Sequence, residues 1–174
     1  MARFEEAIET TRSLLDQPRT TFSGRFYRFE DAPCQPTPVQ ETLPITVGTG
    51  GPRMLRATAR FAQEWNTWGA PEMASEAMTK FRTACEAVGT DPASLHTSVQ
   101  ALVFMSDDAE RLEKWRSKAD PARSIIGTPD EVAETIGGYA EIGFQEFILL
   151  GVTLGSTPAQ RREGYERFAA AVGA

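Results

Sequence analysis

The residues best placed for chemistry are Gly48-Thr49-Gly50-Gly51, which follow the β-rich run Ile45-Thr46-Val47 and precede Pro52. Glycines let a backbone come close to an anion. A helix that starts at Pro52 offers free N–H groups and the positive end of its dipole to the same spot. Thr49 adds a hydroxyl, and Arg53, in the first turn, adds positive charge. A phosphate fits this arrangement. The same residues also fit a tight strand–helix turn that binds nothing. Two other phosphate motifs fail on residue identity. A P-loop needs Lys-Ser or Lys-Thr after its last glycine, and neither pair is present. A dinucleotide fingerprint needs a third glycine where Arg53 stands.

Thiol, metal and triad chemistry find little support. Cys34 and Cys85 are the two cysteines, and they form no CxxC. They could pair with each other or hold a metal, but two reduced thiols is the plainer reading. Zinc sites need Cys and His at close spacing, and the single histidine, His96, has no such neighbour. At the opening of an apparent strand, His96 suits a structural or surface role better than a Ser-His-Asp triad.

The elements around the glycine turn follow from periodicity. Phe4, Ala7, Ile8, Thr11, Leu14 and Leu15 predict an amphipathic helix over residues 2–16, closed by Pro18. Residues 20–29 alternate around Ser23-Gly24 and read as a hairpin. Four prolines in 31–44 predict an extended connector. Strands are expected at 45–48, 64–68, 97–105 and 145–150, side by side in that order. The third holds Ala101-Leu102-Val103-Phe104-Met105, continuously apolar, as for a strand buried on both faces. Helices are expected after Pro52, over 72–88, over 107–118, from Pro129 to Gly143 and over 158–172. Thr128-Pro129-Asp130-Glu131 has the spacing of a capping box. Alternating strands and helices predict an α/β fold, a parallel sheet with helical cover.

Composition bounds the possibilities. The chain has 174 residues, enough for one domain with a real core, and a net charge of −6. It carries no basic cluster, so nucleic acid is not an expected partner. No apolar run is long enough to span a bilayer, so no membrane partner is expected either. The segment Met1 to Glu6 has no signal-peptide core, which points to the cytoplasm.

A family resemblance sharpens the reading. Ile45 to Arg56, followed by Ala59-Arg60-Phe61-Ala62-Gln63-Glu64-Trp65-Asn66, resembles two segments of the luciferase-like monooxygenase family, I-x-I-G-G-x-G and A-R-Y-A-D-x-W-N. Phe22 to Tyr27 is similar to that family's F-x-G-R-x-Y hairpin. Ile126 to Ala133 is similar to its G-T-P-E-E-V-A segment, and Tyr139 to Leu150 to its last strand and approach. The branch it most resembles is the coenzyme F-420-dependent oxidoreductases. The resemblance implies the C-terminal half of a (β/α)8 TIM barrel: residues 1–174 as one half-barrel domain, four parallel strands with outer helices plus a small hairpin. It implies that Gly48, Thr49, Gly50, Gly51 and Arg53 contact the phosphate of coenzyme F-420 or FMN. Trp65, Asn66 and Thr67 would lie on the next strand near the cofactor or substrate pocket, with barrel packing the alternative for Trp65. Gln63 stands where the family motif has Asp.

The implied activity is that of an oxidoreductase, hydride transfer between a small organic substrate and a flavin or deazaflavin. Family members carry four more strand–helix units, and the first helix here opens beside Met1 without a capping residue. The chain is therefore expected to be a fragment, a split product or one half of an assembly, paired with the missing half or self-associated. The alternative is a non-catalytic half-barrel that binds only a phosphate-bearing cofactor or a partner chain. Barrels often hold phosphate after their last two strands. Here the turn after Met105 carries Asp107 and Asp108, and Gly151 to Gly155 shows no nearby cation in the sequence, so the anion site is expected at Gly48.

Overall fold

The computed structural model describes residues 2–173; Met1, where the chain opens, lies outside them. Six α-helices and seven strands are described. They are α1 (Ala2–Asp16), β1 (Arg19–Ser23), β2 (Arg28–Pro33), β3 (Thr46–Gly48), α2 (Pro52–Phe61), β4 (Glu64–Trp68), α3 (Pro71–Glu86), β5 (His96–Met105), α4 (Ala109–Arg116), β6 (Ser124–Gly127), α5 (Pro129–Ile142), β7 (Glu146–Leu149) and α6 (Pro158–Val172). The main sheet runs β3-β4-β5-β6, with β7 also paired to β5. Along β4 and β5 the His96 N–H donates to Gln63 O and the Gly69 N–H to Gln100 O, so the two strands advance together. The chain forms two compact units, Met1–Trp65 with Lys80–His96, and Asn66–Thr79 with Thr97–Ala174.

In the first unit, β1 and β2 form an antiparallel hairpin with Phe22 opposite Phe29. The Glu6 carboxylate on α1 accepts the Phe26 N–H at 2.9 Å and also faces the Tyr27 N–H, which clamps the hairpin tip to the helix. Ile8, Val47 and Ala62 are buried together, with Phe4, Ile45 and Phe61 packed around them. This small core seats the strand that leads into the glycine turn. Cys85 is buried and Cys34 half-buried, both as free thiols. Burial first, then the Asp91 and Glu86 carboxylates, push the Cys85 thiol up.

In the second unit, β5 pairs with β6 and β7 as well as with β4. Its first half pairs in parallel with β7, Ser98 opposite Glu146 to Ala101 opposite Leu149. Its second half pairs in parallel with β6, Leu102 opposite Ser124 to Met105 opposite Gly127. Strand β6 is absent from the sequence reading: four residues are too few to show alternation, and Pro121 and Pro129 flank them. The expected double burial of β5 is also corrected. Val99, Ala101 and Val103 are fully buried, but Leu102 and Phe104 on the other face are half-buried. The Phe104 ring meets Trp115 of α4 at 5.5 Å. Beyond Phe147, Tyr139 and Phe168 complete an aromatic row between β7 and the helices α5 and α6. The Tyr139 hydroxyl donates to Gly69 O at 2.7 Å. Burial and then the Glu72 carboxylate push its pKa up.

Helix α5 begins as its sequence predicts. Thr128 Oγ1 accepts the Glu131 N–H, and Glu131 Oε2 accepts the Thr128 N–H at 2.8 Å. It ends at Gly143, whose left-handed conformation (φ 114°) suits glycine. Thr128→Ala is expected to lower stability by about 1 kcal/mol, the usual loss for such a cap, as read by chemical denaturation. A thiol reagent should modify Cys34 in the native protein and reach Cys85 only on unfolding, as mass spectrometry of labelled peptides would show.

Candidate functional site

The glycine turn lies between β3 and α2, as expected. Gly48, Gly50, Gly51 and Arg53 are exposed and Thr49 is half-buried. Pro52 opens α2, and Gly51 precedes it in extended conformation (φ −80°, ψ 141°) with no side chain capping the helix. The N–H groups of the first turn therefore stay available to a ligand. By contrast, Asp108 caps α4, and Thr128 and Thr157 cap α5 and α6.

The glycines themselves are informative. Neither Gly50 nor Gly51 has a positive φ, so their backbone conformation does not require glycine. A Cβ at either would meet nothing within 4 Å, so internal packing does not require it. The space a side chain would fill there is open to solvent, so a ligand could come close to the amides. Neither the Thr49 hydroxyl nor the Arg53 guanidinium has a partner among the described residues. The first-turn amides, the Thr49 hydroxyl and the Arg53 guanidinium are the groups here that could meet a phosphate.

Trp65 holds this turn in place. Its indole is fully buried and stacks on Phe81 of α3, with ring centroids 4.3 Å apart and planes 4° from parallel. Its Nε1–H donates to Thr49 O at 2.9 Å. With no exposed surface, Trp65 contributes to the turn through that hydrogen bond and not as a ligand contact. Burial alternates along β4. Trp65 and Thr67 are buried, while Glu64, Asn66 and Trp68 are half-buried on the opposite face. Thr67, 8% exposed, shares the packed face with Trp65.

Asn66 belongs to the second unit and faces the other way. Its Nδ2 donates to Ser98 Oγ at 2.9 Å. The glycine turn, Arg53 and Trp65 are thus brought together in the first unit, and Asn66 and Thr67 are described within the second.

The sequence reading gave Gln63 no partner. Its Oε1 accepts from Arg12 at 2.8 Å and from the Ile45 N–H at 3.1 Å. Arg12 also reaches Leu43 O at 2.8 Å. Gln63 therefore ties α1 and the connector to the start of β3. The missed partner lies 51 positions away, and nothing local in the sequence signals it.

Comparison with known proteins places the fold. Residues 1–122 match the luciferase-like monooxygenase family, and the chain belongs to that family. Over 134 residues it is 31% identical to a phthiodiolone/phenolphthiodiolone dimycocerosates ketoreductase of Mycobacterium kansasii, a match covering 74% of this chain and 36% of the relative. It is 25% identical over 181 residues to an F420-dependent glucose-6-phosphate dehydrogenase of Kineococcus radiotolerans, covering 84% of this chain and 53% of that protein. The coenzyme F420-dependent tetrahydromethanopterin reductase of Methanopyrus kandleri superposes with a TM-score of 0.75 at 16% identity, over 98% of this chain and 62% of that one. A long-chain alkane monooxygenase superposes at 0.74 with 15% identity, over 97% and 55%. The fold is therefore the β/α repeat of a luciferase-like TIM barrel. The chain spans about half the length, or less, of these two curated relatives.

Replacing Trp65 separates its two roles. Trp65→Phe keeps an aromatic partner for Phe81 and loses the bond to Thr49, at an expected cost of about 1 kcal/mol. Trp65→Ala also opens a cavity and should cost about 3–5 kcal/mol. Urea denaturation of the two variants checks the order.

Proposed function

We propose that this chain binds coenzyme F-420 or FMN through its phosphate at Gly48 to Gly51, as part of a luciferase-like oxidoreductase acting on a small organic substrate. The observation that carries the reading is the pair Gly50 and Gly51: open to solvent, unconstrained by φ or packing, at the uncapped start of α2. The backbone amides of the first turn hold the phosphate, with Arg53 and the Thr49 hydroxyl adding charge and a further hydrogen bond. Trp65 keeps the Thr49 carbonyl fixed behind them, and Asn66 and Thr67 on the same strand are the further residues this reading assigns to the cofactor or substrate. When bound, the (deaza)flavin supplies the hydride chemistry, and the protein supplies binding and orientation. F-420 is favoured over FMN by the Glu64-Trp65-Asn66 form of the motif and by the F420-dependent relatives.

The catalytic unit in this proposal is larger than this chain, which spans only part of its relatives. It works with the strand–helix units those relatives carry beyond the matched part, or with a second copy. The same coverage favours a second reading, a half-barrel that binds the phosphate-bearing cofactor without turnover. No described helix is long and apolar enough to cross a membrane. Cytoplasmic placement is part of the proposal and fits the two free thiols.

Gly50→Val tests the phosphate assignment cleanly, because the added side chain meets no protein atom near its Cβ. The variant should melt like the parent and bind FMN or F-420 at least tenfold more weakly. Binding of the phosphate-free riboflavin should be unchanged, by calorimetry on the chain or on its assembly with the companion half. Equal weakening of both ligands would remove the assignment. Binding without turnover in the complete assembly would favour the non-catalytic reading.

A further inference from the structure

A cleft of about 350 Å3 opens in the second unit, and none of its lining residues belongs to the glycine turn. Met105 at the end of β5, Trp115 of α4 and Leu154 give it an apolar floor. Arg111 of α4, Arg167 of α6, Gly155 and Ser156 also line it. The sequence gives Gly151 to Gly155 no nearby cation; the fold supplies two, from helices 44 and 12 positions away from Gly155.

Asp107 and Asp108, two of the carboxylates that would repel an anion here, are already engaged. Asp108 accepts the Glu110 and Arg111 N–H groups as the cap of α4. Asp107 pairs with Arg167 at 2.9 Å, but both side chains are exposed, at 76% and 44%. A pair so open to water holds Arg167 weakly and can be exchanged for a ligand. Arg111 meets no carboxylate among the described residues; its guanidinium lies 6.0 Å from the Trp115 ring. A third group points to a ligand: the Thr153 hydroxyl on the same wall is shielded from solvent and has no hydrogen-bond partner. Buried donors in folded proteins are rarely left so.

The wall is closely packed. Gly155 sits at φ +155°, and a Cβ there would lie 2.4 Å from Gln160 Cβ; one at Gly164 would lie 2.7 Å from Leu154 Cβ. The loop is therefore in close contact with α6.

We propose that this cleft binds a small amphipathic monoanion, a carboxylate with an aromatic or short alkyl body, as a substrate-side site separate from the cofactor phosphate. Its carboxylate lies between Arg111 and Arg167, and its apolar body rests on Trp115, Leu154 and Met105. Once the exposed Asp107 carboxylate gives up Arg167 to the ligand, Glu163 in the same lining leaves one net positive charge from the two arginines, which favours a monoanion over a dianion. The role as a substrate site rests on the oxidoreductase reading; the binding itself does not, and its test contains no flavin or F-420.

The probe is 3-phenylpropionate, compared with 3-phenylpropanol, 3-phenylpropylamine and phenyl phosphate, titrated into the full chain by calorimetry and by tryptophan fluorescence. The acid is expected to bind at least tenfold more tightly than the alcohol, the amine and phenyl phosphate, and to change fluorescence in the parent but not in Trp115→Phe. Arg111→Gln, an exposed position that should leave the melting curve unchanged, is expected to bring the acid down to the affinity of the alcohol. Asp107→Asn, which frees Arg167, should tighten the acid. Equal binding of acid and alcohol, no binding of any probe, or an acid preference that survives Arg111→Gln and Arg167→Gln would overturn the proposal. Phenyl phosphate binding as tightly as the acid would overturn the monoanion choice. Loss of FMN or F-420 binding in Gly50→Val with 3-phenylpropionate binding intact would show the two sites failing separately.

Discussion

The hydrogen bond from the Trp65 indole to the Thr49 carbonyl is the constraint on which the candidate site depends. A turn of three glycines and a threonine has no side chains large enough to fix its own path. Its geometry must come from elsewhere, and here it comes from a ring fully buried against Phe81. Stacking against Phe81 fixes the ring, the ring fixes the N–H, and the N–H fixes the carbonyl. The amides on the far side of that carbonyl are then free to face solvent. A polar atom inside a buried aromatic pair must be satisfied, so the core and the turn hold each other.

The same economy governs β4 and β5. Both strands put one row of side chains into helical packing and leave the other row half-buried. In β4 the packed row is Trp65 and Thr67, and the open row is Glu64, Asn66 and Trp68. In β5 the packed row includes Val99, Ala101 and Val103, while Gln100, Leu102 and Phe104 on the other face are half-buried and Ser98 on that face is buried. Asn66 and Ser98 join across the open row through a hydrogen bond. A barrel interior needs such a row, because polar groups there must find partners among neighbouring strands.

Much of this was legible in the sequence, and the reasons are specific. Thr128 and Glu131 announce a helix start because the capping box is local, spanning four residues. The glycine turn announces itself because glycines between a β-rich run and a proline leave few other readings. What was not legible is pairing across long separations. Strand β6 is four residues with no period to read, and its existence depends on the edge that β5 offers. The role of Gln63 depends on Arg12, and the charge beside Gly155 depends on Arg111 and Arg167, all brought in by helix packing. Trp65 was legible as a conspicuous residue but not as a support, because one strand of five residues does not say which face its indole occupies.

In the proposed function the amides at the start of α2 hold a phosphate. An amide NMR titration reads those groups directly, one resonance per residue. With isotope-labelled protein, FMN or F-420 should shift the Gly50, Gly51, Arg53 and Met54 amides in a saturable manner, and riboflavin, which lacks the phosphate, should leave them in place. If the four amides stay unmoved while the ligand binds, or if riboflavin moves them equally, the turn does not hold the phosphate and the account fails at its root.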